Sequence, residues 1–467
     1  MLPSAAELVA RFLRTNGYDE TLSSFVKEAG LPPDIGAVSD GLTTIETILD
    51  EKRTFDLSLN FEKLGVDDND KGWTVHAPTK PTIVDSLPNM SNILSVSVLD
   101  LTLPSIAETR QYIAVTTADR QLHLLDPSTS MPGLVHSYSG SQDSPILDVV
   151  ALGPQHILIA SMSGKLLLYD VTRSRAIEER KDHAKYLVKL SIWHGGDSVL
   201  VASAGWDAKI LLYQLNINTG NPTLGEPVAT LDLPSIPETI VFVSSPDDGT
   251  PILAVARRDS AFLHYYVVSS LTSPTFALVG KQNLAPHSNA WVAFTPADVQ
   301  ISPTDPYLAA VATSSTPHMR LLVVKLLLPP TRHSVLGAGS GLDPDGTVTQ
   351  ASQARAELLR ADQDDAAILV NVSTLAPQTP YSTPRIVWRP DGSGVYVSSD
   401  DGIVRGIEAK SGKHIAALEA HEPGSKLRCL WAGRIKSYSE DGSSSAESSE
   451  CLMSGGFDQK LILWKAQ

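Results

Sequence analysis

Two periods of hydrophobic positions divide the chain. Over the first thirty residues the apolar positions recur at helical spacing: Leu8, Val9, Phe12 and Leu13, then Leu22, Phe25, Val26 and Ala29. Ser4-Ala5-Ala6-Glu7 has the form of a capping box, Gly17 is placed to stop a first helix, and Asp19 to cap a second that Gly30, Pro32 and Pro33 end. Residues 40–60 hold a candidate third helix, with Leu42, Ile45, Leu49 and Lys52 at three-four spacing and Asp50-Glu51-Lys52-Arg53 as a solvated face. From about residue 73 onward the pattern changes. Short aliphatic and aromatic runs alternate with Gly, Pro, Ser and Asp turns, which predicts strands.

The strand-rich part repeats itself. Ala118-Asp119-Arg120-Gln121-Leu122-His123-Leu124-Leu125 aligns with Met162-Ser163-Gly164-Lys165-Leu166-Leu167-Leu168-Tyr169. Both align with Trp206-Asp207-Ala208-Lys209-Ile210-Leu211-Leu212-Tyr213 and with Phe457-Asp458-Gln459-Lys460-Leu461-Ile462-Leu463-Trp464. The anchors 119, 163 and 207 stand two equal steps of 44 residues apart. Weaker copies at Asp259, near His318 and at Asp401 bring the total to about seven units. This period, and the strand-plus-turn Ile386-Val387-Trp388-Arg389-Pro390-Asp391-Gly392, resemble WD repeats. The resemblance implies an all-β, seven-bladed WD-repeat propeller over residues 73–467. It also implies a buried hydrogen-bonded tetrad of His, Ser or Thr, Asp and Trp in each regular blade. The best matches are His421, Ser454, Asp458 and Trp464, then His183, Ser203 and Asp207, where Tyr213 replaces the Trp. Such a tetrad staples a blade and is not half of a catalytic triad.

The last repeat ends close to the C-terminus, so its blade needs an outer strand from elsewhere. Trp73-Thr74-Val75-His76 is the expected donor, closing the ring and covering strand edges. Two insertions interrupt the period. Residues 329–365 fall in a hairpin loop of the fifth blade, with a short helix over 351–360, and the Ser/Glu-rich residues 438–450 read as a mobile segment of the last blade.

Two helices as short as those at the N-terminus cannot bury both apolar stripes alone. Either a second copy covers them or they dock on the rest of the chain. Leu8-Val9-Ala10-Arg11-Phe12-Leu13, Asn16-Gly17-Tyr18, Thr21, Phe25 and Glu28-Ala29 resemble the LisH motif. That resemblance implies a small helical homodimerisation module over residues 1–35, with Leu8, Phe12, Leu13, Leu22, Phe25 and Val26 at the interface. Residues 36–72 then hold the candidate third helix and a polar linker at 67–71.

Composition narrows the function. The net charge of −15 gains nothing from counterion release on nucleic acid, so none is expected as a partner. Glu7 and Arg11 break the N-terminal apolar stretch, and the apolar run 321–328 is too short to span a bilayer, so the expectation is an intracellular protein, in cytoplasm or nucleus, without a membrane partner. The two cysteines, Cys429 and Cys451, read as buried thiols in preference to a disulfide. Gly337-Ala338-Gly339-Ser340-Gly341 lacks the Lys-Ser or Lys-Thr of a phosphate loop, and Asp343-Pro344-Asp345-Gly346 is half a calcium loop. No catalytic residues, cofactor or metal are expected. The reading is a non-enzymatic scaffold that dimerises through the helices and binds proteins on the propeller faces. The alternative is a ubiquitin-ligase substrate receptor, for which Tyr169-Asp170-Val171-Thr172-Arg173 approaches the Trp-Asp-x-Arg pattern with one residue too many. An enzyme on a propeller scaffold is a third class, and no paired groups favour it.

Overall fold

The computed structural model describes residues 5–37, 44–45, 73, 75–104, 106, 108–128, 131–140, 142–195, 198–216, 222–269, 274–286, 294–329, 350–438 and 444–465. The chain divides into two compact units, Met1–Asp70 and Lys71–Gln467.

The first unit is a helical hairpin of α1 (Ala5–Thr15) and α2 (Asp19–Ala29). Gly17 takes φ +72°, and Gly30 caps α2 at φ +63° with its N–H on the Val26 carbonyl, so both helices stop at a residue with no Cβ to strain. Asp19 is not the cap. Tyr18 holds that position without a side-chain bond, and Asp19 lies in the first turn, where its charge meets the positive end of the helix dipole. Ser4 of the capping box, and residues 40–43 and 46–60 of the candidate third helix, lie outside the described residues. After α2 the chain folds back over α1. Arg14 donates to the carbonyls of Pro33 and Ile35, each at 3.2 Å, and Gly36 passes so close that a Cβ there would lie 2.5 Å from the Arg11 amide.

The second unit begins with β1 (Lys80–Ile83) and continues through six complete blades. They are β2 (Ile93–Leu101), β3 (Arg110–Thr117), β4 (Leu122–Asp126), β5 (Gly133–Tyr138); β6 (Ile146–Ala151), β7 (His156–Ser161), β8 (Leu166–Asp170), β9 (Arg175–Arg180); and β10 (Leu187–Gly195), β11 (Ser198–Gly205), β12 (Lys209–Asn216), β13 (Ala229–Asp232). Then follow β14 (Pro237–Ser244), β15 (Pro251–Arg257), β16 (Phe262–Ser269), β17 (Thr275–Asn283); β18 (Thr295–Ile301), β19 (Leu308–Ser314), β20 (His318–Lys325), β21 (Ile368–Pro377); and β22 (Ile386–Trp388), β23 (Gly394–Val397), β24 (Ile403–Glu408), β25 (His414–Glu419). The seventh blade is β26 (Leu427–Tyr438), β27 (Ser444–Gly456) and β28 (Leu461–Lys465), with β1 as its outer strand. α3 (Gln350–Ala367) lies between β20 and β21, inside the expected insertion of blade 5 and longer than the helix expected there.

The first strands of the blades touch one another in a closed cycle, from β2 through β6, β10, β14, β18, β22 and β26 back to β2. The result is a seven-bladed propeller. An apolar layer fills each of the seven blade interfaces, and the layer between blades 7 and 1 joins Ile93, Val96 and Ile113 to Cys429, Met453 and Leu461. Packing on both faces explains why the middle strands read as continuous apolar runs: Val199 to Ala204 in β11 are buried without alternation. Outer strands such as β9 are largely exposed and polar. The inner strands have an unpaired edge, and half-buried or buried polar side chains cap it. Asp148 accepts from the Leu190 amide of the next blade at 2.8 Å, Ser191 from Phe242 at 3.0 Å, and Asp298 from Ile386 at 3.2 Å.

The repeated motif is the turn between the second and third strand of each blade. Arg120, Gly164, Ala208, Gly402 and Gln459 follow their anchors in the left-handed region, with φ between +61° and +85°. Blade 4 departs: residues 257–262 separate the paired Ala256 and Leu263, one more than the 117–121 that separate Thr116 and Leu122, and Asp259 itself takes φ +60°.

Two further expectations are corrected. The closing strand is Lys80–Ile83, paired with β28 from Lys80 with Lys465 to Ile83 with Ile462, and not residues 73–76. Trp73 is held elsewhere: its amide donates to Glu408, its ring meets Tyr396 edge-on, and Arg389 covers it at 4.3 Å. The Ser/Glu-rich stretch 438–450 is in large part strand. Tyr438 pairs with Ser444, Lys436 with Ser448 and Arg434 with Glu450, extending the hairpin of β26 and β27; residues 439–443 lie outside the described set. The ladder grows out of a buried sheet, and a bidentate ion pair from Arg389 to Glu450 fixes its root.

Candidate functional site

Three places in the molecule hold chemistry or unsatisfied surface. The first is the apolar face of the helical hairpin. Leu22 is buried, Leu8, Phe12, Leu13, Phe25 and Val26 are half-buried, and Val9 and Tyr18 are exposed. The hairpin brings both stripes toward each other, with Phe12 and Tyr18 rings 6.3 Å apart, and leaves apolar surface uncovered.

The second is the pair of His-centred networks. His421 Nδ1 lies 2.8 Å from Asp458, His421 Nε2 lies 2.8 Å from Ser454 Oγ, and Trp464 Nε1 donates to the same Oγ at 2.8 Å. Burial raises the Asp458 carboxyl, but the His421 hydrogen bond and its charge outweigh that and hold it below the ordinary value. In blade 3, His183 is 3.0 Å from Asp207 and 2.8 Å from Ser203. Tyr213 reaches Ser203 but is shared with a second partner. Its hydroxyl donates to Asp182 at 2.9 Å, and Arg180 grips the same carboxylate at 2.7 Å. Each network spends its polar atoms inside the blade.

The third is the mouth of the central channel, a cavity of about 580 Å³. In six blades the innermost strand opens on a β-bulge, and the bulged residues are Leu94, Leu147, Val188, Glu238, Ala297 and Arg428. All six line the cavity, and blade 6 adds Arg385, immediately before β22. A bulge re-aims a side chain that a regular ladder would turn elsewhere, which is why alternation alone could not find this ring. The visible signal was a lone charge in an apolar run, Leu427-Arg428-Cys429-Leu430. Also missed was the Trp73–Arg389–Glu450 staple, although Arg389 stands in the quoted Trp-Arg-Pro-Asp-Gly turn. Its guanidinium is fully buried, doubly bonded to Glu450 at 2.7 and 2.8 Å, and donates to the Val75 carbonyl at 2.9 Å.

The remaining sequence candidates carry little. Cys429 and Cys451 are free and buried, Cys429 opposite Gly455 and Cys451 opposite Gly433, and burial pushes the Cys429 thiol up to about 12. Among the described residues no group of His, Cys, Asp and Glu could hold a metal ion. Arg173, on which the ligase-receptor alternative rests, is tied to Asp170 in its own turn at 2.9 and 3.2 Å.

Helical hairpin and closed ring together define a protein of the LisH-plus-β-propeller class, an architecture that fits protein interaction. The chain belongs to the UCP007778 family: the family's β-propeller domain matches residues 89–465, and its LisH domain matches residues 6–37. No curated protein sequence matches the chain.

Proposed function

We propose that this protein is a non-enzymatic, intracellular scaffold that forms a homodimer through the N-terminal helices and presents two propellers to protein partners. The observation that carries this reading is the unequal satisfaction of the two units. The propeller buries seven apolar layers within its own ring, whereas Phe12, Leu13, Phe25 and Val26 remain half-exposed on the hairpin. A two-fold copy of the same face is the simplest self-complementary cover for such a stripe. Among the described residues no helix is long and apolar enough to cross a membrane.

The test is the mass of the full chain in solution by light scattering. The unaltered protein is expected at twice the chain mass, and Phe12→Asp and Phe25→Asp at the mass of one chain with the propeller's β-sheet circular dichroism intact. A single-chain mass for the unaltered protein, or a dimer that survives both substitutions, would remove the self-association claim.

A further inference from the structure

The channel mouth carries an electrostatic anomaly. Arg428 projects from the bulge of β26 and Arg385 from the segment before β22, so the two arginines come from neighbouring blades and line one cavity. Among the described residues neither guanidinium has a hydrogen-bond or ion-pair partner. Other cations on the second-to-third-strand turns and near the mouth do find carboxylates: Arg258 meets Glu238 at 2.6 Å, Arg405 meets Asp401 at 2.6 Å, and Lys426 meets Asp400 at 3.1 Å. Burial, and then the charge of Arg385, push the Arg428 guanidinium down to about 10. The chain carries a net charge of −15, yet among the described residues no carboxylate forms an ion pair with either arginine. A half-buried like-charged pair is unfavourable unless something neutralises it.

The surroundings narrow what that is. The two acids on the lining are Glu238, already neutralised by Arg258, and Asp259. Arg258 also lies over the Trp206 ring at 5.2 Å, so it is fixed in place on the opposite wall. From blades 1 to 3 the bulges supply Leu94, Leu147 and Val188, an apolar arc that begins on the blade next to Arg428. A single carboxylate would leave one of the two cations uncompensated. A phosphate monoester, with about two charges and three acceptor oxygens, matches two planar guanidinium forks. The cavity of about 580 Å³ far exceeds a bare phosphate, so the ester's organic part lies against the apolar arc.

We propose that the channel mouth is a binding site for a phosphate monoester, held between Arg385 and Arg428 with its organic group against Leu94, Leu147 and Val188. The site stands on the channel's own geometry and is unaffected by whether the helices self-associate.

The experiment is calorimetric titration of the full-length protein at low ionic strength with three probes. These are phenyl phosphate, the peptide acetyl-Gly-Gly-phosphoserine-Gly-Gly-amide and its unphosphorylated counterpart. Both phosphorylated probes are expected to bind and the unphosphorylated peptide is not. Arg385→Gln and Arg428→Gln are each expected to weaken binding at least tenfold, and Phe12→Asp to leave it unchanged. Arg428→Met is expected to raise the melting temperature of the ligand-free protein, because it removes a buried, unneutralised charge. Tighter binding of the phosphopeptide than of phenyl phosphate assigns the ester to a protein partner, and the reverse order to a small molecule. Absence of binding at millimolar phenyl phosphate and phosphopeptide, or equal affinity in the arginine variants with their melting transitions preserved, would overturn the proposal.

Discussion

Ser454 serves two neighbours with one hydroxyl. Trp464 Nε1 can only donate, so the Ser454 oxygen accepts from it, while the Asp458 carboxylate only accepts and draws the imidazole proton to Nδ1. With the proton on Nδ1 facing Asp458 at 2.8 Å, Nε2 of the neutral ring accepts from the Ser454 hydroxyl. The carboxylate thereby sets the tautomer of a buried ring, and one hydroxyl serves both neighbours. Ser454→Ala leaves both the indole N–H and the imidazole nitrogen unpaired inside the sheet, at a cost of about 1–3 kcal/mol for each. Ser203→Ala leaves His183 Nε2 unpaired, but the Tyr213 hydroxyl that also reaches Ser203 keeps its bond to Asp182. The expected outcome is a larger fall in melting temperature for Ser454→Ala than for Ser203→Ala. Equal falls in a calorimetric comparison would show that the indole bond contributes nothing.

At the scale of elements, the turns were legible and the joints were not. A β-turn between two buried strands needs a left-handed residue after a side chain that bonds its own backbone. Asp119-Arg120, Ser163-Gly164, Asp207-Ala208 and Asp458-Gln459 show that need in the sequence itself. The WD-like period and the seven blades followed from it. In blade 4 the turn is one residue longer, and Asp259 itself takes the left-handed place that the other blades give to the residue after the anchor. The bulge ring was invisible, since a bulge changes where a side chain points without changing the run of apolar residues. The closing strand was misplaced because Trp73 and Val75 look more strand-like than Lys80-Pro81-Thr82-Ile83. Proline is tolerated on an outermost strand, and the aromatic is taken by the Arg389 staple. This assignment has a direct consequence. A chain beginning at residue 72 keeps both β1 and the staple and is expected to melt as the full propeller does. A chain beginning at residue 86 exposes the edge of β28 and is expected to melt lower and to aggregate. Matching thermal transitions for the two truncations would mean that β1 does not close the ring.

For the whole molecule, ring closure couples local proton equilibria into one stability profile. Two groups of sites bind fewer protons in the folded ring than in the unfolded chain. His123, His156 and His264 are held below the ordinary imidazole value, chiefly by burial. Asp119, Asp207, Asp401 and Asp458 lie in turns of four different blades. Burial is the largest single influence and raises each of these carboxyls, but several hydrogen bonds and charges together, led by Thr117, His183, Arg405 and His421 respectively, hold them below the ordinary value. In both groups the unfolded chain takes up protons first on acidification, so stability falls as pH falls. The histidines set the first phase, beginning near the unfolded imidazole value of about 6.5, and the carboxylates set a second, beginning near about 3.9. Because each blade packs on two neighbours, both phases are expected in one cooperative melting transition, with a shallow decline in midpoint from pH 6.5 and a steep one below pH 4. Asp458→Asn is expected to flatten the steep phase and His264→Asn the shallow one, each leaving the other phase in place. A midpoint that stays constant between pH 7 and pH 3.5, or a decline that neither substitution alters, would show that these groups do not govern the acid response.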